Sequence, residues 1–244
     1  MGLYLYSMKF IVKSKNLLRP VKWTALSAFR ILLARTGLYS LKKRDVLIVS
    51  AGGVATTFFI KHLSQFLETN DPSNEDGLKH LSVKPRFWGA RRPKIIFVLG
   101  DPVEAALSLD RRGYFAYHIW MCGASKLSPE MDLSQFSKGG SDFLFLPQLY
   151  RWLKADQKSE EVYFIDYNDF WSKESEVLAF VGLREGGKFA LPARKVRKTT
   201  SMQISDHYRA NLEKCFATTR RVCDLLIEGK RDDARRLCEE ALLR

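Results

Sequence analysis

With 244 residues, 46% hydrophobic and 27% charged, the chain has enough apolar material for one substantial core plus terminal additions. Lys and Arg number 40 against 27 Asp and Glu, and the formal net charge of +13 favours polyanionic partners: nucleic acid, a phosphorylated cofactor, an acidic lipid surface or an acidic glycan. No run reaches the ~18–20 apolar residues of a membrane span and the N-terminus shows no signal-peptide cleavage pattern, so the expected location is cytoplasmic.

The opening stretch is the most polarised. Lys9, Lys13, Lys15, Arg19, Lys22, Arg30, Arg35, Lys42, Lys43 and Arg44 all precede the first acidic residue, Asp45. Among them Trp23, Leu26, Phe29, Leu32 and Leu33 recur at helical spacing. A basic amphipathic helix of this kind suits an anionic membrane, and equally suits packing on the domain with a solvated basic face. Residues 1–44 are read as a basic N-terminal extension, and 45–244 as one domain whose C-terminal helices cover 203–244.

From Asp45 the texture changes. Val46-Leu47-Ile48-Val49 predicts a strand, Ser50-Ala51-Gly52-Gly53 a turn, and Phe59, Leu63, Phe66 and Leu67 one face of a helix. Lys94–Leu99 predicts a second strand, followed by the turn Gly100-Asp101-Pro102 and a helix from Val103 to about Arg112. Val162–Ile165 predicts a third, followed by Asp166-Tyr167 and the segment Phe170 to Gly182. Apolar strands alternating with helices imply a three-layer α/β fold with a central, largely parallel sheet covered on both faces. Thr69–Gly77 and Ser125–Ser141 read as loops. Beyond Ser201, Leu212, Phe216, Val222 and Leu226 predict helix as far as a break near Gly229-Lys230, then a last helix ending at Leu243.

Cys122, Cys215, Cys223 and Cys238 form no CxxC pair and no zinc-type Cys/His pattern, so they are read as reduced thiols and no metal is expected. Cys215 and Cys223, two turns apart, suit a packed helix face.

A parallel strand feeding a glycine-rich turn into a helix brings backbone N–H groups and the positive end of the helix dipole to one point, which attracts a phosphate or sulfate oxygen. Ser50–Thr57 has the parts: Gly52 and Gly53 for close approach, Thr56 and Thr57 as hydroxyl donors. The GxxxxGK[ST] lysine of a Walker A loop is missing, which argues against a generic NTPase. Glycine-rich turns also serve packing alone, so this motif by itself leaves both readings open.

Further residues recur in a definite order. Gly52-Gly53-Val54-Ala55-Thr56-Thr57-Phe58 follows the first strand; Ile96-Phe97-Val98-Leu99-Gly100-Asp101-Pro102 is followed by Ser108, eight residues after Gly100; Val162-Tyr163-Phe164-Ile165-Asp166-Tyr167 precedes Val177-Leu178-Ala179-Phe180-Val181-Gly182-Leu183. In this order the chain resembles the sulfotransferase family, with its P-loop-NTPase-like fold, over about Asp45 to Ser201. The family transfers a sulfuryl group from 3′-phosphoadenosine 5′-phosphosulfate (PAPS) to a hydroxyl or amine. The resemblance implies that Gly52, Gly53, Val54, Ala55, Thr56 and Thr57 hold the 5′-phosphosulfate, as the family's P-K-S-G-T-T loop does. It also implies that Ser108 contacts the 3′-phosphate, and that Arg194, Lys195, Arg197 and Lys198 serve as the basic segment closing over it. Two positions depart from the family: its loop lysine is Gly53 here, and its arginine before the serine is Gly100. Each loss of a charge-assisted contact costs about 1.5–3 kcal/mol. Arg111, Arg112, Lys61 and Lys79 are candidates to compensate.

Sulfuryl transfer requires in-line positioning, positive charge around the moving group and a base for the acceptor hydroxyl. Histidine suits the last role. His80, in Leu78-Lys79-His80-Leu81, follows the first loop, where the family often places a Lys-x-His-Leu segment; it is the candidate base, with Lys79 beside it, against a surface or structural role. His62, His118 and His207 read as structural, or at most as acceptor contacts. Glu75 and Asp76 are reserve bases in a loop whose composition favours turn formation. Tyr114, Phe115, Tyr117 and Trp120 suit either a sugar acceptor or the core. Lys84, Arg86, Arg91 and Arg92, around Phe87 and Trp88, suit either an anionic acceptor or a solvated rim.

The resemblance thus implies a sulfotransferase, read as acting on a glycan or lipid-linked saccharide, and the basic amphipathic pattern within residues 1–44 offers peripheral contact to an anionic membrane. A glycosyltransferase using a nucleotide sugar on the same fold is the alternative. A non-catalytic module for a membrane or nucleic acid is the third, nucleic acid being the less favoured partner because a pure polyanion binder needs no ordered set of cofactor-type turns.

Overall fold

A computed structural model describes residues 19–41, 43–87, 92–121, 131–139, 144–155, 162–183 and 204–243. Helix α1, Arg19–Thr36, packs on the domain through Leu26, Arg30, Leu33 and Ala34. Gly37, at φ +73°, turns the chain out of it into a 3-10 turn, Leu38–Leu41, whose Tyr39 joins Leu33 and Ala34 in the main core. The Arg86 N–H donates to Ala34 O at 2.8 Å. Leu33, Ala34 and Tyr39, in the stretch read as an extension, therefore share the domain's core.

Three strands follow: β1 (Val46–Ser50), β2 (Lys94–Leu99) and β3 (Val162–Asp166), parallel and hydrogen-bonded in that order. Val46 pairs with Lys94 and Ile95 with Val162. Alternate residues serve two cores, which is why the sequence shows apolar runs rather than alternation. Leu47, Val49, Ile95, Phe97, Val162 and Phe164 face α6 (Leu146–Ala155), α9 (Ala217–Ile227) and α10 (Arg231–Leu243), where Trp152, Val222 and Cys238 meet them. Val46, Ile48, Ile96, Val98 and Ile165 face α2 (Thr56–Leu63), the 3-10 turn Tyr167–Phe170 and α7 (Glu174–Val181), with Phe59 stacked on Phe170 at 3.8 Å. A third core joins α3 (Pro102–Arg111), α4 (Phe115–Met121), α5 (Leu133–Gly139) and α8 (Asp206–Cys215). The fold is thus α/β with a small parallel sheet covered on both faces.

The outer edge of β1 is closed by irregular chain. Asn70 acts as a strand residue from its side chain, its Oδ1 accepting from Ile48 N at 2.8 Å and its Nδ2 donating to Ile48 O at 3.0 Å. Ser50 N–H then donates to Lys79 O at 3.0 Å, so the Lys79-His80 segment is fixed against the last residue of β1.

Two expectations are corrected. Inside the stretch read as loop, Leu133–Gly139 is helical, because Asp132 and Gln135 form a reciprocal cap: Gln135 N to Asp132 Oδ1 at 2.7 Å, Asp132 N to Gln135 Oε1 at 3.1 Å. The C-terminal helix breaks at Phe216, so Cys215 and Cys223 belong to different helices and different cores. The segment after β3 starts as a 3-10 turn, and its helix ends at Gly182, as expected, in the left-handed region at φ +81°.

Candidate active site

The turn after β1 is built on two left-handed glycines, Gly52 at φ +96° and Gly53 at φ +72°. Each also meets a neighbour with no room for a side chain. A Cβ on Gly53 would stand 2.6 Å from Ala105 Cα on α3, and one on Gly52 would stand 2.8 Å from His118 Nδ1 on α4. A lysine at position 53 would therefore be strained by backbone conformation and by packing alike. Ser50 Oγ lies 2.7 Å from Thr56 Oγ1 and accepts from Gly52 N at 3.1 Å, while Thr56 N donates to Val54 O at 2.7 Å. Thr56, expected as a donor to a ligand, is buried inside the loop. The N–H groups of Gly53, Val54, Ala55 and Thr57 donate no hydrogen bond among the described residues, and α2 starts without a side-chain cap. A fan of open donors at a helix start is an anion-attracting geometry.

Cation and imidazole reach this turn from the loop that closes β1. Asn74, in the left-handed region at φ 64°, accepts Lys79 N–H at 2.9 Å, and Asp76 accepts Leu78 N–H at 3.1 Å and Asp71 N–H at 2.9 Å. Asp76 is also ion-paired with the buried Arg44 at 3.5 Å, so it builds the loop and is no base. Held this way, Lys79 Nζ donates to Thr57 Oγ1 at 2.7 Å and to Pro72 O at 2.8 Å. His80 Nδ1 stands 3.2 Å from Ser50 O and 3.4 Å from Ser50 Oγ. A carbonyl only accepts, so this contact puts the proton on Nδ1 and leaves the Nε2 lone pair for chemistry. The next residue is locked too: Leu81 O accepts from Gln148 Nε2 at 2.8 Å and Trp152 Nε1 at 2.9 Å.

Sequence reasoning set His118 aside, yet α4 delivers it to the same place: its ring is edge-on to His80, centroids 5.7 Å apart. Only the glycine at 52 hints at it, because the two positions are far apart in the chain. Burial, then Arg112, hold the His118 imidazole down to about 3. Burial, then His118 and Lys79, push His80 well below the usual histidine range. Both rings are neutral near pH 7. Burial and Arg112 also lower Lys79. Of the four cations proposed to compensate, Lys79 comes to the turn and Arg112, exposed and donating from Nε to Ser108 O at 2.8 Å, lies near enough to act on Lys79 and His118; Arg111 and Lys61 are exposed. Arg30 of α1, 3% exposed, lies along Gly77, where a Cβ would meet its Cδ at 3.0 Å, and its charge also lowers His80.

The turn after β2 is different. Asp101 caps α3 by accepting Glu104 N–H at 2.9 Å and pairs with Arg220 at 2.8 Å, while Glu104 pairs with Arg209 at 3.0 Å. Ser108 lies farther along α3, half-buried. Between the two turns is a small apolar cavity of ≈ 20 Å³, bounded by Gly52, Val54, Gly100, Pro102, Phe145 and Thr219, room for about one water. Arg194, Lys195, Arg197 and Lys198 lie outside the described residues. Among the described residues no group of three or more His, Cys, Asp or Glu could hold a metal ion. Of the aromatic group, Phe115 is core, Tyr117 half-buried and Tyr114 exposed beneath the Arg112 guanidinium, 5.7 Å from its ring centre.

Comparison of the chain with family models, with curated proteins and with solved structures gives no match in any of the three.

Proposed function

We propose that the protein is a sulfotransferase of P-loop-like fold, whose Ser50–Thr57 turn receives the phosphosulfate end of PAPS and whose His80 acts as base toward a saccharide hydroxyl. The observation that carries this reading is convergence: Lys79 Nζ at 2.7 Å from Thr57 Oγ1 and His80 Nδ1 at 3.2 Å from Ser50 O, on a turn with open N–H groups. In the transfer, the acceptor oxygen attacks sulfur as its proton passes to His80 Nε2. The bond from sulfur to the bridging oxygen breaks, and that oxygen leaves as the 5′-phosphate of adenosine 3′,5′-bisphosphate. Lys79 stands where charge develops on the leaving oxygen, the role of the family's loop lysine, and Arg112 adds to the field. A depressed imidazole is a weak base, yet it is unprotonated and available over the whole neutral range.

A nucleotide-sugar donor on the same turn is the second reading. It is favoured by the β2 turn, where Gly100 supplies no cation and Asp101 already places a carboxylate at the start of α3. Titration with adenosine 3′,5′-bisphosphate beside UDP- and GDP-linked sugars separates the two: selective binding of the bisphosphate supports PAPS, and binding of a sugar nucleotide alone sinks it.

A further inference from the structure

We propose that the outward face of α1 is a docking surface for an anionic lipid membrane. Ala25, Ala28, Phe29 and Leu32 follow one another on that face at helical spacing and are exposed, Phe29 by 40% and Leu32 by 55%. Leu38, just past the helix, is exposed by 40%. A helix packed on a globular core ordinarily turns such residues inward and its charges outward. Here the arginine at the centre of the helix, Arg30, is on the buried side.

Cations rim the apolar stripe. Arg35 is exposed on the same face, and Arg86 is exposed beside the last turn, where its N–H holds Ala34 O. Neither has an acidic partner among the described residues. No Asp or Glu precedes Asp45, so nothing on this segment repels a negative surface. Exposed Leu and Phe framed by Arg match a bilayer interface carrying acidic headgroups, which buries the apolar side chains and neutralises the guanidinium groups together. A nucleic acid would use the arginines and leave Leu32 in water. The face also has a place in the chemistry: α1 packs on α4, which carries His118, and Arg30 lies along the loop that carries Lys79 and His80. Docking therefore holds the site beside the bilayer. Resting on the transferase reading, this makes the acceptor a saccharide carried on a lipid.

The test is co-sedimentation of the full chain with phosphatidylcholine vesicles, with and without phosphatidylglycerol. Binding only to the anionic vesicles, weakening as salt rises, is expected. Leu32→Ser with Leu38→Ser should lower partition about tenfold at an unchanged melting temperature. Leu32→Glu alone gives the same comparison should the double variant not fold. Equal partition on both vesicles, no partition, preferential capture of duplex RNA, or undiminished binding by Leu32→Glu overturns the proposal. Bisphosphate titration of the same samples keeps the two readings apart: lost nucleotide binding with intact vesicle binding removes the transferase and leaves the docking face, and the reverse removes only the docking face.

Discussion

The turns after β1 and β2 share a topology and differ in whether a side chain caps the helix that follows. Both are strand–turn–helix units at the same end of one parallel sheet. After β2 the chain uses its own carboxylate: Asp101 caps α3 and is neutralised by Arg220. After β1 the helix start has no side-chain cap, and Lys79 and Arg112 are gathered around it. Topology alone does not make a phosphate site. What distinguishes one turn from the other is whether a side chain caps the helix start and whether a cation reaches it from a neighbouring loop, as Lys79 does through Thr57 Oγ1.

The contrast can be broken most severely at His80. His80→Ala should lower PAPS turnover, read as released adenosine 3′,5′-bisphosphate, by about 10²–10⁴-fold while leaving bisphosphate binding nearly intact; full activity would remove His80 from the mechanism. Next comes Gly53→Ala, which meets both a left-handed backbone and the Ala105 contact, and should cost roughly 3 kcal/mol. Gly182→Ala, with the same sign of φ and nothing within 4 Å, should cost only about 1 kcal/mol. Thermal melts of the pair separate packing from backbone strain, and equal losses would show that the close approach to α3 matters little.

Lys79→Met should weaken bisphosphate binding by about 10–100-fold, the worth of one charge-assisted contact. An unchanged affinity would move the anion elsewhere. The pH dependence follows from the rings. His118 has a folded value of about 3, below the ordinary 6.5, so between those values the unfolded chain binds the extra proton and stability falls as pH falls. From about pH 7.5 to pH 5.5 this amounts to about 1 kcal/mol. His118→Gln should lessen that slope in melting curves, His80 supplying what remains, and an identical slope would mean the His118 ring is not held neutral. The smallest effect belongs to the second turn. Arg220→Met removes a largely solvated pair and should cost less than about 1 kcal/mol without changing anion affinity.

The three strands were legible because each is apolar almost throughout. Lys94–Leu99 reads as a strand at its actual bounds because both faces of the sheet are covered, and Val46–Ser50 and Val162–Asp166 differ from expectation by one residue each. Leu133–Gly139 was hidden because its helix signal lies in the Asp132–Gln135 cap rather than in a long apolar period. Phe216 reads as another residue of a helical period, while in space it ends one helix and starts the next.

The site was legible in part. Gly52 and Gly53 mark a sharp turn, and the neighbouring Lys79 and His80 can be singled out by type. Their approach to that turn depends on Asn70 and Asn74, whose side chains replace a strand and a turn that no periodicity announces. Nor does spacing show that Gly53 serves contact with α3, that His118 sits over Gly52, or that Arg30 belongs to the inside of the molecule. Each of these is a meeting of distant segments, decided by packing.

The most direct test of the central claim, that the β1 turn is the donor site, is calorimetric titration of adenosine 3′,5′-bisphosphate into the wild-type chain and into Lys79→Met. We expect saturable binding to the wild type and a loss of about 10–100-fold in the variant. No binding to the wild type, or equal affinity in both, would contradict it.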